Sequence, residues 1–211
     1  MGTPLNGRKA QAARNDGLIK EAARAVFTED PGAPIAAVAE RAGVGISALY
    51  RRYRSKEDLL QRLAADGMAA YLTEVEAALA DDADPREAFA RFLHRCLDIG
   101  AGSLTSRLAG SFPVTDDMAR QGRELHEATS RLLARCKAAG ALRPDIEVGD
   151  ITLLLEHLST IRLADEARSK DLRRRYLALL LAALEATAAA PLPGPAPTWR
   201  ELADRYAVND L

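Results

Sequence analysis

The segment from Val38 to Lys56 restricts the fold more than any other, because it predicts a helix, a tight turn and a second helix in close succession. Proline suits the first position of a helix, and Pro34 begins a predicted helix that ends at Ala42. Gly43-Val44-Gly45 then places two residues that tolerate positive φ on either side of an apolar side chain, as a tight connection between helices requires. A short helix is predicted from Ile46 to Tyr53.

The rest of the sequence predicts an all-α protein. Apolar residues make up 48% of the chain and recur at helical spacing, and no strand pattern or internal repeat occurs. Ser55 is predicted to cap a fourth helix, with Asp58 placed to complete a capping box. Helices are predicted over residues 8–29, 55–66, 85–99, 104–108, 115–139, 148–164 and 170–189, followed by a proline-rich linker and a short helix within residues 190–211.

The charge of the chain is unevenly distributed. Between Arg41 and Lys56 there are five basic residues and no acidic one. Residues 1–65 hold 11 Lys+Arg against 7 Asp+Glu, whereas residues 66–211 hold 18 against 23, so the two parts carry +4 and −5. This asymmetry predicts that a basic module contacts an acidic polymer and that the acidic remainder has a different task.

Helical geometry gives the predicted helix from Ile46 to Tyr53 two faces. At about 100° per residue, Leu49 and Tyr53 point in nearly the same direction and must pack against the preceding helix. Arginine can pair with guanine through two hydrogen bonds, and Lys56 is a candidate phosphate contact beside the amide protons that begin the next helix. Charge alone fits a solvated face equally well, but the periodicity and the turn favour contact with DNA. The candidate DNA contacts on the outer arc are Ser47, Ala48, Tyr50, Arg51 and Arg52.

These residues resemble the N-terminal signature of the tetracycline-repressor (TetR) family of transcriptional regulators. The resemblance lies within residues 12–63 and is carried by Val38-Ala39-Glu40-Arg41-Ala42-Gly43-Val44, Leu49-Tyr50-Arg51-Arg52-Tyr53 and Ser55-Lys56-Glu57-Asp58-Leu59-Leu60. It implies a three-helix, helix-turn-helix DNA-binding domain at 8–53 and a larger helical domain for effector binding and dimerisation at 55–189. It also implies repression that a small molecule relieves, with the five outer-arc residues facing DNA and Lys56 on phosphate.

Three positions depart from the pattern of many family members. Ala33-Pro34 stands where a hydroxyl residue often holds a phosphate at the start of the second helix. Gly45 stands where a serine or threonine often caps the recognition helix, and Ala36, at a position that sometimes reads a base, has no hydrogen-bonding side chain. Base reading is therefore expected to depend mainly on Arg51 and Arg52.

The predicted helices at 148–164 and 170–189 carry more apolar surface than one chain needs. We expect them to form a two-fold, four-helix interface between two copies of the chain. Such a homodimer suits a palindromic operator in double-stranded DNA. The apolar residues that suggest this interface include Leu153, Leu154, Leu155, Leu158 and Ile161.

An effector pocket is expected among the helices at 85–138 and 148–164. Its candidate wall is Phe89, Phe92, Leu93, Phe112, Met118, Leu125, His126 and Leu158, although apolar residues at this spacing are more typical of a plain core. His94, His157 and Glu156 are further candidate polar groups for the unknown effector. The three histidines are 32 and 31 residues apart, which matches no metal-binding spacing, so neither a metal nor another cofactor is expected.

The sequence also bounds the class of function. A helical enzyme is one alternative, but there is no glycine-rich phosphate loop or nucleophile elbow to support it. A non-specific DNA-binding protein is another, and the acidic remainder of the chain argues against it. There is no apolar run of about 18 residues and no apolar signal-peptide core, so a cytoplasmic protein without a membrane partner is expected. Cys96 and Cys136 are expected to be reduced core thiols.

Overall fold

The computed structural model describes residues 4–100, 110–185 and 190–205, with side chains from residue 14 onward. In these ranges the structure is helical and contains no strand, so the expected all-α class is confirmed. The predicted helix at 104–108 lies outside the described residues. The described helices are α1 (Pro4–Glu29), α2 (Ile35–Arg41), α3 (Ile46–Arg52), α4 (Lys56–Ala80), α5 (Pro85–Asp98), α6 (Asp116–Ala138), α7 (Val148–Ser159), α8 (Glu166–Leu184) and α9 (Trp199–Asp204).

The chain divides into two compact units, one ending at Ala64 and the other beginning at Ala65. The predicted connecting helix at 55–66 is the start of a longer one, since α4 continues to Ala80. Gly67 does not end it, because a single glycine inside an alanine- and leucine-rich helix costs only about 1 kcal/mol. No described helix has the length and apolar content that spanning a bilayer requires.

The turn between α2 and α3 forms as expected, with one difference. Gly43 adopts a φ of 65°, and the amide of Val44 donates to the carbonyl of Ala39 at 3.0 Å, which closes the turn. Gly45 instead has a φ of −65° and a ψ of 137° and occupies the N-cap position of α3. Only the first of the two glycines therefore uses its freedom to adopt positive φ.

The boundaries of α7 and α8 differ from the predicted 148–164 and 170–189. The first helix ends at Ser159, and Ala164 in the connection has a φ of 56°. Asp165 begins α8 early, because its side chain accepts a hydrogen bond from the amide of Arg168 at 2.8 Å. The apolar pattern places the start of this helix at residue 170 and does not predict the N-cap at Asp165.

The core of the second unit is formed by the inward faces of α4 to α8. The rings of Tyr71 and Phe92 meet edge to face, with centroids 5.4 Å apart. Cys96 and Cys136 are both buried and free, as expected, and burial raises the pKa of the Cys96 thiol. The apolar residues that make up this core include Val75, Phe89, Leu93, Leu132, Leu133, Ile151, Leu155, Leu158 and Leu177.

Hydrogen bonds made by Arg143 and Asp145 fix the start of the C-terminal segment, residues 190–205. Arg143 pairs with Asp145 through two bonds of 2.6 and 2.9 Å, and its Nη2 also donates to the carbonyl of Ala190 at 2.8 Å. Asp145 in turn accepts from the amide of Leu192 at 2.9 Å. The guanidinium of Arg143 and this amide hold the pKa of Asp145 well below its usual range. The segment is thereby fixed before it reaches α9.

Candidate functional site

The helix α3 has one buried face and one exposed face, as its sequence predicts. Leu49 and Tyr53 are fully buried. Ser47, Arg51 and Arg52 are exposed, Tyr50 is 51% exposed and Ala48 is partly buried. The polar and basic side chains of α3 are thus available for an external partner.

Asp16 of α1 organises the end of this helix. Its Oδ1 accepts hydrogen bonds from Arg52 Nε and from Tyr53 Oη, both at 2.7 Å, and Lys20 lies 3.5 Å from its Oδ2. The hydrogen bond from Arg52 is the main reason that the pKa of Asp16 falls to about 2. Burial and the bond to Asp16 raise the pKa of the Tyr53 phenol. Arg52 nevertheless stays 55% exposed, so it is oriented without being buried.

Arg51 and Tyr50 differ from Arg52 in their surroundings. Neither side chain has a hydrogen-bond or ion-pair partner among the residues that the structure describes. An unpaired guanidinium presents five N–H donors in a planar fork that matches phosphate or a guanine edge. Arg51 is consequently a basic group on α3 whose donors are not committed to the rest of the described chain.

Lys56, the first residue of α4, is occupied inside the protein. Its Nζ donates to the carbonyls of Pro31 and Ala33 at 3.0 and 2.8 Å and lies 5.1 Å from the ring centroid of Phe27. These contacts tie the connection between α1 and α2 to the start of α4, a role that the sequence pattern did not indicate. One of the three ammonium donors remains for another acceptor.

Some backbone amides at the start of α4 also already donate hydrogen bonds within the protein. Ser55 Oγ accepts from the amide of Asp58 at 3.2 Å, which confirms the predicted cap. The carboxylate of Asp58 accepts from the amide of Arg54 at 2.9 Å and not from that of Ser55. The N-cap residues of α2 and α3 are Pro34 and Gly45. Neither has a side chain that can accept a hydrogen bond, so neither helix start has a side-chain cap.

A cavity of about 450 Å³ lies within the second unit. Its wall is contributed by α4, the stretch before α6, α6 itself, α7 and α9. The lining residues are Gly67, Met68, Tyr71, Gly110, Phe112, Val114, Met118, Ala119, Gly122, Arg123, Leu125, His126, Val148, Thr152, Leu155, Glu156, Trp199, Leu202 and Ala203.

The helix α9 forms one side of the cavity. The ring of Trp199 lies against that of His126, with centroids 5.0 Å apart, and Leu202 is buried. Gly122 leaves room for the indole, because a Cβ at this position would lie 3.2 Å from Trp199 Cη2. The chain approaches α9 across Gly149, where a Cβ would lie only 2.2 Å from the carbonyl oxygen of Pro197. Two glycines therefore let the C-terminal segment lie close to the helices beneath it.

Two polar groups stand out in this apolar wall. The Nδ1 atom of His126 is buried and has no hydrogen-bond partner among the residues that the structure describes. The side chain of Glu156 is 10% exposed, and its Oε2 accepts from Arg205 Nη2 at 2.9 Å. Glu156 is therefore already paired, whereas the histidine nitrogen is not.

Comparison with known proteins identifies the chain. The family model for bacterial regulatory proteins of the tetR family matches residues 19–63, and the model for the C-terminal domain of SbtR-like transcriptional regulators matches residues 84–186. The chain belongs to the TetR family. It is a DNA-binding transcriptional regulator and not an enzyme. No curated protein matches it significantly.

Solved TetR-family regulators share its fold. The regulator SCO0520 from Streptomyces coelicolor is 26% identical, with a TM-score of 0.57 over 82% of this chain and 99% of that one. LfrR from Mycobacterium smegmatis, solved in complex with proflavine, is 22% identical, with a TM-score of 0.60 over 84% and 99% of the two chains. The ketosteroid regulator KstR2 of Mycobacterium tuberculosis is 17% identical, with a TM-score of 0.58 over 82% and 95%.

Only some of the residues expected to line the cavity of this TetR-family regulator do so. Phe112, Met118, Leu125 and His126 line it. Phe89, Phe92, Leu93 and Leu158 do not, because they pack into the core between α5, α7 and neighbouring helices. The gap that Leu93 and Leu158 border has a volume of only about 10 Å³, too small for an organic ligand.

The contributions of α4 and α9 to the cavity wall are not predicted by the sequence. Tyr71 lies beyond residue 66, where the sequence predicts that the fourth helix ends. Trp199 and Leu202, in the short helix predicted within residues 190–211, also line the cavity. Of the additional polar candidates, Glu156 lines the cavity, whereas His94 and His157 do not.

Proposed function

We propose that this TetR-family regulator acts as a homodimeric repressor that a small organic effector releases from a palindromic operator. DNA binding is assigned to residues 8–53, and effector binding and dimerisation to residues 55–189. Residues 190–205 supply a cover for the effector cavity. The observation that carries the proposal is α3, which has an apolar buried face and presents arginine, tyrosine and serine on the other.

The side chains of α3 are given different roles. Arg51 reads a base edge or a phosphate with its uncommitted guanidinium, and Arg52 reads a base while Asp16 holds its Nε. Ser47, Ala48 and Tyr50 complete the surface that meets the groove and the backbone. Because it already donates to two carbonyls, Lys56 contributes to phosphate binding mainly by fixing the start of α4.

Dimerisation is supported by the uncovered apolar surface of α8. Within this 19-residue helix only Ser169, Leu177 and Leu184 are buried, while Tyr176 and Leu179 are 48% and 59% exposed. A surface helix with large exposed apolar side chains marks an interaction site. We assign the interface to the segments at 148–164 and 170–189, with α8 supplying the larger share, since Leu155 and Leu158 of α7 are already in the core.

The cavity supports effector binding. Its volume of about 450 Å³ is in the range of small-molecule sites, and its wall is mainly apolar with few polar groups. Among regulators with this fold, one was solved in complex with proflavine and another is described as a gamma-butyrolactone receptor. The helix α4 lines the cavity through Gly67, Met68 and Tyr71 and continues without a break from the DNA-binding unit. We assign α4 the role of transmitting the presence of an effector in the cavity to the DNA-binding unit.

Selection of DNA from a random duplex library by the purified full chain tests this function. The recovered sequence is expected to be a palindrome and to bind at least about 1,000-fold more tightly than random duplex at the same salt concentration. Fluorescence anisotropy at several salt concentrations measures the ratio. A ratio near one would reject the proposal in favour of non-specific DNA binding, because backbone contacts alone carry no sequence preference.

A further inference from the structure

We propose that α9 is a gate on one side of the cavity, and that the ion pair between Arg205 and Glu156 is the latch that holds it shut. The helix turns away from the wall about Gly194, while the start of the C-terminal segment stays in place. The gate follows from the contacts of the segment itself. Only the nature of what passes it, a small organic effector, rests on the proposed function.

The C-terminal segment is fixed at its start but not in its middle. Its start is held by Arg143 and Asp145, and Asp145 accepts from the amide of Leu192 at 2.9 Å. Residues 193–197 make no hydrogen bond or ion pair with any other residue that the structure describes. Three of these five are prolines, which lack an amide donor and fix their own φ. Bending is therefore concentrated at Gly194, which has a φ of 73° and open space where a Cβ would lie.

The helix α9 is held together by its own capping box. Thr198 Oγ1 accepts from the amide of Glu201 at 3.2 Å, and the carboxylate of Glu201 accepts from the amide of Thr198 at 2.7 Å. Between described residues, no backbone hydrogen bond joins α9 to the helices beneath it. The helix can therefore leave the cavity wall as a unit without losing a backbone hydrogen bond.

The ion pair at the end of α9 supplements a limited apolar contact. Leu202 is buried, but Trp199 remains 38% exposed. Arg205, the residue after the helix, donates from Nη2 to Glu156 Oε2 at 2.9 Å. The side chain of Glu156 is 10% exposed, so water screens the pair less than it screens a surface pair. Because the pair lies at the opposite end of α9 from Gly194, it restrains the whole helix.

Opening of α9 changes the cavity itself. Trp199, Leu202 and Ala203 are part of its wall, so all three leave together when the helix turns away. The rest of the wall, which includes Met118 of α6 and Thr152 of α7, then faces solvent. A molecule gains access from this side in the open state and is enclosed when α9 returns.

Cysteine labelling of the full chain tests the gate. Met118→Cys places a thiol on the cavity wall at a residue that is 8% exposed, and Thr152→Cys places one on α7 as a second reporter. Reaction with N-ethylmaleimide, a small uncharged reagent, is followed by mass spectrometry. With the latch intact, the thiol is expected to react at least about 10-fold more slowly than free N-acetylcysteine, since labelling requires local opening.

Two arginine variants, each combined with a reporter, separate the latch from a general effect of charge. Arg205→Gln is expected to raise the labelling rate about 3- to 10-fold, because a charged hydrogen bond no longer favours the closed state. Arg200→Gln makes the same change at an exposed arginine whose 3.8 Å ion pair with Asp204 lies within α9, and should leave the rate unaltered. Cys96 and Cys136 are fully buried outside the cavity wall and should stay unlabelled.

The gate is rejected if the reporter thiol reacts as fast as N-acetylcysteine with the latch intact, or if Arg205→Gln raises the rate no more than Arg200→Gln. It is also rejected if the native cysteines are labelled together with the reporter, because the chain then opens as a whole. If neither reporter variant folds, acrylamide quenching of Trp199, the only tryptophan of the chain, makes the same comparison between the two arginine variants.

The labelling assay contains neither DNA nor effector, so its outcome is independent of the DNA-selection experiment. Labelling that depends on Arg205 in a protein without sequence preference for DNA would support the gate and reject the proposed function. Labelling that is indifferent to Arg205 in a protein that selects a palindrome would reject the gate alone.

Discussion

Arg52 of α3 donates its Nε–H to Asp16 of α1 at 2.7 Å, across 36 positions of sequence. The same carboxylate oxygen accepts from Tyr53, which is fully buried, so one acidic group joins the core of the first unit to the basic surface of α3. An arginine oriented by a second residue loses less side-chain entropy when it meets a base. With Arg52 in its proposed role at the DNA surface, the pair would link folding stability to DNA recognition.

Replacing Asp16 with Asn is expected to lower the free energy of unfolding at pH 7 by about 1 to 2 kcal/mol, with the lower end favoured because Arg52 is exposed. The folded-state pKa of about 2 lies below the ordinary value for aspartate, so the contribution is complete above about pH 4 and is lost as the pH falls from 4 to 2. Urea unfolding across this range measures it. Asp82→Asn, at an exposed residue, serves as the control; an equal pH dependence in both variants would contradict the role of Asp16.

Replacing Arg51 with Ala is expected to weaken binding to the selected operator by about 1 to 3 kcal/mol, because its guanidinium is exposed and uncommitted. The comparison variant is Arg24→Ala, which removes the same charge from an exposed position of α1. Anisotropy titrations with operator and random duplex measure both proteins. If the two variants lose equal affinity for both DNAs, Arg51 contributes charge only and the base-reading role is wrong.

Replacing Lys56 with Met is expected to lower the free energy of unfolding by about 1 to 3 kcal/mol, since two backbone carbonyls lose a charged donor. Lys170→Met provides the matched change at an exposed ion pair of 3.6 Å with Asp98, where a loss below about 1 kcal/mol is expected. Thermal unfolding measures the difference. Wild-type stability in Lys56→Met, accompanied by weaker DNA binding, would show that Lys56 acts on phosphate alone.

Replacing Gly149 with Ala is expected to displace the C-terminal segment, because the new Cβ would lie 2.2 Å from the carbonyl oxygen of Pro197. The cost of such overpacking is about 1 to 3 kcal/mol. Emission of Trp199 should shift to longer wavelength as the indole gains exposure. Gly17→Ala has open space at the new Cβ and should be neutral or stabilising by up to about 1 kcal/mol. Unchanged emission in Gly149→Ala would mean that the segment adjusts without leaving the cavity.

Replacing Leu179 with Glu is expected to convert the dimer to monomers, since a charge would be placed on the exposed apolar side of α8. Light scattering coupled to size exclusion at micromolar concentration gives the mass. Leu18→Glu makes the same change at a leucine of α1 that is 49% exposed and should leave the mass unaltered. A monomeric wild-type protein, or a dimeric Leu179→Glu protein, would reject the assigned interface.

The sequence predicted α3 and its two faces because a short amphipathic helix is determined locally. Leu49 and Tyr53 share a direction whatever the rest of the chain does. The hydrogen bonds of Asp16 and Lys56 could not be predicted from the sequence, since they join residues 23 to 37 positions apart. The cavity was predicted only in part for a related reason. Periodicity shows which face of α5 is buried, but not whether Phe89 meets another side chain or an open space.

The matched C-terminal family model ends at residue 186, whereas Trp199, Leu202 and Ala203 lie on the cavity wall. If the cavity is the effector site, as proposed, part of the chemical selectivity of this regulator is encoded outside the region that the C-terminal model matches. Homologues that share the helical bundle can diverge in ligand preference by exchanging or shortening this terminal peptide. Inference of an effector from the shared domain alone would overlook that source of variation, and chimaeras that swap residues 190–205 offer a direct route to reprogramming it.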